Sequence, residues 1–102
     1  MDKESAFESV KKYISFLKKN DFSIQKAYIF GSYAKGTFND DSDIDLAVVM
    51  NELSNGFLTQ VELMKISRRF DTRIEPHPFD EADFDTSNPF AHEILATGVQ
   101  IL

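Results

Sequence analysis

The chain has 102 residues, 42% of them hydrophobic and 27% charged, which is the size and balance of one globular domain with one core and no room for a second. Eleven basic against 17 acidic residues leave a net charge of −6, so clustered positive charge for tracking a nucleic-acid backbone is missing and direct nucleic-acid binding is not expected. No cysteine is present, which removes disulfides and thiolate metal sites and is compatible with a reducing cytoplasm; the apolar runs are far short of a membrane span, and the start MDKESAFE does not read as a signal peptide.

In chain order, Asp2 to about Asn20 is expected to be helical. Phe7, Val10, Ile14 and Leu17 share one face, with Glu4 and Glu8 early and Lys18 and Lys19 late, as the helix dipole favours. The lysines of this segment read as a solvated face rather than a binding patch. Ile24 to Phe30 reads as a strand running into Gly31. Ser32-Tyr33-Ala34-Lys35 makes a short helical turn that Gly36 ends as a left-handed cap. After a polar loop, Asp43 to Met50 is a second strand. Its run Leu46-Ala47-Val48-Val49-Met50 is apolar on both faces, the pattern of a strand central in its sheet.

Ser54-Asn55-Gly56 marks a turn or cap before a helix over Phe57 to Phe70, with Leu58, Val61, Leu63, Met64, Ile66 and Phe70 on a broad apolar face. Thr72 to about His77 is a third strand, ended by Pro76 and Pro78, which suit an edge or a strand terminus. Phe79 to Thr86 is an acidic connection. Asn88 caps and Pro89 opens a last helix to about Thr97, which Gly98 ends before a short strand within Val99 to Leu102. The order predicts an α/β (α+β) fold in one domain over residues 1–102, with helices packed on a small mixed β-sheet.

The chemistry concentrates between Gly31 and Val49. Residues two apart on a strand face the same way, so Asp43 and Asp45 project together while Ile44 enters the opposite layer. Two like charges at that spacing repel and raise each other's pKa unless a cation intervenes. A Mg²⁺ ion held by carboxylates and substrate phosphates is the simplest compensation. Gly31 lets a backbone approach a phosphate without a Cβ in the way, the turn after it offers N–H groups at a helix start, and the Ser32 hydroxyl adds a donor. A third acid is needed to take a proton from an attacking hydroxyl, and Glu75 of the third strand is the candidate if that strand lies beside the second.

Competing readings exist for each residue. Asp41, Asp43, Asp45 and Glu52 imitate calcium-loop spacing, but the glycine required at the sixth place is Leu46. Asp40 and Asp41 read as loop solvation. Glu75 has the alternative of an exposed strand-end charge paired with Arg73, and Asp71 is the runner-up third acid. Lys35 either touches a phosphate or is solvated. His77 and His92 lie beside no evident ligand set and read as structural or surface residues.

Gly31-Ser32, then ten residues (33–42), then Asp43-Ile44-Asp45 resembles the signature of the DNA polymerase beta-like nucleotidyltransferases. More narrowly, GSYAKGTFNDDSDIDLAVV resembles the minimal nucleotidyltransferases (MNT), small prokaryotic proteins, and the likeness extends over nearly the whole chain. The resemblance implies the polymerase beta-like fold, with Asp43 and Asp45 binding two Mg²⁺ ions, Gly31, Ser32 and Lys35 the nucleoside triphosphate, and Glu75 as third carboxylate and metal ligand. The family often has Arg where Lys35 stands and Asp where Glu75 stands.

It further implies a partner. Minimal nucleotidyltransferases occur in two-gene modules with an all-helical HEPN protein, frequently a ribonuclease toxin. There the enzyme acts as antitoxin in the cytoplasm, attaching AMP from ATP to a tyrosine of the toxin. The alternative is an antitoxin or binding module without catalysis that neutralises its partner by contact.

Overall fold

The computed structural model describes residues 3–102. Its elements run α1 (Lys3–Lys19), β1 (Ile24–Phe30), α2 (Ser32–Lys35), β2 (Ile44–Met50), α3 (Gly56–Ser67), β3 (Ile74–Asp80), a 3₁₀ turn (Glu81–Asp83), α4 (Pro89–Thr97) and β4 (Val99–Gln100). The expected helical start at Asp2 lies outside the described residues. Among the described residues no helix is long and apolar enough to cross a membrane.

The sheet is mixed, in the order β3-β2-β1-β4. β1 pairs antiparallel with β2 and β4, and β2 pairs parallel with β3. The doubly apolar β2 is an inner strand, as its composition requires. Its alternate residues leave for two different layers. Ile44, Leu46, Val48 and Met50 join Ala27 and Ile29 of β1 in one cluster with Val10, Tyr13, Ile14 and Leu17 of α1 and Leu63 of α3. The Tyr13 hydroxyl donates to the Leu63 carbonyl at 2.8 Å, tying α1 to α3, and burial pushes its pKa up. On the opposite face a smaller cluster gathers Tyr28, Ala47, Val49 and Ile94 of α4, with Phe30, Phe79 and Phe84 against it.

Local chemistry sets the element ends. Asn55 Oδ1 accepts from the Leu58 N–H at 3.0 Å to open α3, and Asn88 Oδ1 accepts from Phe90 and Ala91 to open α4 behind Pro89. Gly36 closes α2 in the left-handed conformation, φ 78°.

Three elements depart from expectation. β2 begins at Ile44, so Asp43 stands just ahead of the strand. α3 ends at Ser67 and buries Leu63 and Ser67, one turn apart, while Phe57, Leu58 and Val61 stay exposed. Hydrophobicity alone marked too wide a face, because only the stripe turned to the sheet finds partners. β3 starts later and runs on to Asp80. A turn holds residues 71–74: Asp71 Oδ1 accepts from the Arg73 N–H at 3.0 Å and the Asp71 carbonyl from the Ile74 N–H at 3.1 Å.

Pro76 and Pro78 do not stop β3 because it is an edge strand and they alternate along it. The main-chain groups of such residues point away from β2, where a missing N–H breaks no ladder bond. In keeping with that, the Pro76 carbonyl accepts from the Gln60 side chain at 3.2 Å instead of from the sheet.

Candidate active site

The site lies where the end of β1 meets the beginnings of β2 and β3. Phe30 is the register partner of Asp45, and Asp45 is the register partner of Glu75. Cross-strand partners share a face. Asp45 and Glu75 therefore emerge side by side, on the face opposite Ile44 and Leu46. Asp43, one residue ahead of the strand, stands close enough to raise the Glu75 pKa, but it is not part of the tighter group that Asp45 and Glu75 form. The three acids singled out from the sequence thus meet.

Glu75 carries the electrostatic record of that meeting. Its pKa is raised, first by burial and then by the neighbouring Asp43 carboxyl; His77 opposes the rise, and the charges of Asp43 and Asp45 add to it. The side chain remains 38% exposed, so part of this repulsion is screened by water.

Gly31 lies directly against Asp45. Its φ is +72°, a region that favours glycine, and a Cβ there would overlap the Asp45 carboxylate. The Gly31 carbonyl accepts from the Ala34 and Lys35 N–H groups at 3.1 Å each, which folds the chain into α2. Ser32 opens α2, whose first amides have no carbonyl a turn before them. Lys35 sits at the far end of that turn, half exposed, with Nζ 3.3 Å from Glu93 of α4. It is neither simply solvated nor turned to the acids.

Asp71 does not join the site. Arg73 grips it with two bonds, Nε to Oδ1 at 2.9 Å and Nη2 to Oδ2 at 2.6 Å, and Nη1 donates to the Tyr33 hydroxyl at 2.8 Å. The guanidinium hydrogen bond holds the Asp71 carboxyl below its usual range. Arg73 is thereby committed to Asp71, so Glu75 is not its partner. The calcium-loop spacing also lacks a loop: Leu46 is fully buried within β2.

His77 is the residue the sequence reading passed over. It follows Glu75 by two on β3 and pairs in register with Ala47, so it shares the face of the acids. Nε2 lies 3.5 Å from Asp45 Oδ1 and 4.0 Å from Glu75 Oε1. Ligand atoms of Asp45, Glu75 and His77 all fall within 4.8 Å of one another, a spacing that can hold a metal ion. The period-two signal was present in Glu75-Pro76-His77, inside the expected strand, but it was not extended from Glu75 to His77, which was read as structural or surface.

The donors suit a divalent cation. The carboxylates crowd one another, the Glu75 pKa is raised, and among the described residues no Lys or Arg is paired with them, while the buried Nε2 of His77 makes no hydrogen bond. Beside them an open hollow of roughly 230 Å³ is lined by Gly56, Gln60, His77, Pro78, Phe79 and Phe90.

The family model described as polymerase beta, nucleotidyltransferase matches residues 11–102. A solved protein of Sulfolobus solfataricus, described as a nucleotidyltransferase, is 25% identical, with 76% of this chain and 68% of that one covered and a TM-score of 0.61. A mutant of the toxin–antitoxin MntA-HpeT is 28% identical, covering 89% and 69%, with a TM-score of 0.63. A toxin–antitoxin crystallised with AMP-PNP covers 100% and 73% at 24% identity with a TM-score of 0.65, a likeness of fold. Among curated proteins nothing matches.

Proposed function

Because the chain belongs to the polymerase beta nucleotidyltransferase family, we propose that it moves AMP from Mg²⁺-bound ATP onto a tyrosine hydroxyl of an all-helical HEPN-type toxin, acting as its antitoxin in the cytoplasm. The observation that carries this reading is the convergence of Asp43, Asp45 and Glu75 beside the Cβ-free surface of Gly31. The nucleotide and the partner draw support from the similar folds crystallised with AMP-PNP and as toxin–antitoxin complexes.

Each residue has a part. Gly31, without a Cβ, lets the Asp45 carboxylate lie against the turn where the phosphate would bind, and the Ser32 amide and hydroxyl would donate to that phosphate. Lys35 leaves Glu93 to meet the phosphate tail, an exchange between exposed partners that costs little. Asp43, Asp45 and Glu75 would hold the metal. A divalent ion held there would supply positive charge to offset that of the triphosphate during the displacement. Glu75 accepts the proton of the acceptor hydroxyl as its oxygen bonds the α-phosphorus and pyrophosphate departs.

Incubation with α-labelled ATP, Mg²⁺ and the purified helical toxin tests the proposal. Label is expected on a toxin tyrosine, with none when Asp45→Asn replaces the wild type. A toxin neutralised without label would instead establish masking by contact.

A further inference from the structure

We propose that His77 is itself a ligand of this metal site, through Nε2, and that it tilts the site from Mg²⁺ toward a divalent transition ion. The inference rests on the reading of Asp45 and Glu75 as metal-binding and adds to it a nitrogen donor with a consequence of its own.

The first ground is position. Two donor atoms bound at about 2.1 Å to one ion lie about 3 Å apart when adjacent and about 4.2 Å apart when opposite. The separations of 3.5 Å and 4.0 Å from Nε2 to the two carboxylates fall between these limits. The second ground is the state of the nitrogen. Nε2 is buried and has no hydrogen-bond partner, although carboxylate oxygens stand near it. Buried polar atoms are seldom left so, and a metal bond satisfies the lone pair that no donor reaches. The third ground is how the ring is held. Phe30 packs against the imidazole at 5.3 Å and Phe90 meets it edge-on at 6.3 Å, while β3 fixes its backbone beside Ala47. A ring set by its neighbours loses little freedom on binding an ion.

The chemical consequence follows from donor type. Mg²⁺ takes oxygen ligands and keeps its waters, whereas imidazole suits transition ions. A set of two carboxylates and one imidazole accepts Mn²⁺ through all three donors, while Mg²⁺ gains little from the nitrogen.

Mn²⁺ alone is the probe, read by electron paramagnetic resonance on the full chain. Wild type is expected to bind Mn²⁺ and to show nitrogen coupling from a directly bound imidazole. The coupling persists in His92→Gln, which alters the chain's other, exposed histidine, and vanishes in His77→Gln. In His77→Gln the Mn²⁺ affinity falls about tenfold or more, while Mg²⁺ affinity from calorimetry stays within about threefold. Mn²⁺ bound to wild type without nitrogen coupling overturns the role of His77 and leaves the carboxylate site standing. Equal weakening of both ions in His77→Gln overturns the preference. Wild type that takes up neither ion, with or without ATP, overturns this inference together with the metal reading beneath it.

Discussion

The two faces of β2 are made by alternate residues of one strand, and they meet different surroundings. Ile44, Leu46 and Val48 leave it toward α1 and α3 and are completely buried. Asp45, Ala47 and Val49 leave it toward the nine-residue α4, whose Ile94 covers Ala47 and Val49 but not the end where Asp45 stands. One face spends its side chains on packing; the other holds charges that packing would reject. Period two lets neighbouring residues serve stability and chemistry separately. The same division continues across β3, where Ile74 joins the large cluster and Glu75 and His77 join the acids.

The sharpest way to break this comparison is to change neighbours. Leu46→Ala should cost about 2–5 kcal/mol of unfolding free energy in urea titrations, the range for a large core side chain replaced by Ala. Asp45→Asn, one residue away, should stay within about 0.5 kcal/mol of wild type or exceed it, since it relieves repulsion among Asp43, Asp45 and Glu75. Its nucleotidyl transfer should nonetheless fall by about 10²–10³-fold, the scale for losing one preorganised electrostatic contact. Equal stability losses for the two variants would mean that the faces are not separate.

A smaller effect is expected where the covered side carries charge. Asp71 and Arg73 are largely shielded, with side chains 10% and 15% exposed, and the pair braces Tyr33. Asp71→Asn should lose about 1.5–3 kcal/mol at neutral pH. Folding lowers the pKa of Asp71, so its contribution is complete above the ordinary carboxylate value of about 3.9. It disappears as pH falls through the lowered value. Urea titrations across a pH series should therefore show the gap between wild type and variant closing in acid.

Smallest of the set is the cap of α4. Asn88→Ala should cost about 1 kcal/mol in thermal or urea unfolding. Activity should change far less than in Asp45→Asn, because Asn88 caps the helix through the Phe90 and Ala91 amides and α4 meets the site through Phe90 and Glu93 rather than through one of its acids.

How much of this was legible in the chain depends on what each signal measures. The inner position of β2 could be read because burial on both faces leaves a continuous apolar run. The helix α4 could be read because Asn88, Pro89 and Gly98 act through local geometry. Glu75 was named on the condition that β3 lies beside β2, and the pairing of those strands in parallel, with Asp45 opposite Glu75, comes from the structure. The buried stripe of α3 was harder, since Leu58 and Val61 are as apolar as Leu63 and only the placement of the sheet decides between them. His77 was read as structural or surface although it lay in the expected strand, because only the pairing of β3 beside β2 sets its ring against Asp45.

The account turns on whether the charged face of β2 binds a metal–nucleotide complex. Calorimetric titration of MgATP into wild type and Asp45→Asn, with unfolding followed in parallel, tests this directly. Binding by wild type that requires Mg²⁺ and is lost in a fully folded Asp45→Asn is the predicted result. Equal binding by both proteins, or binding unaffected by removal of Mg²⁺, would contradict it.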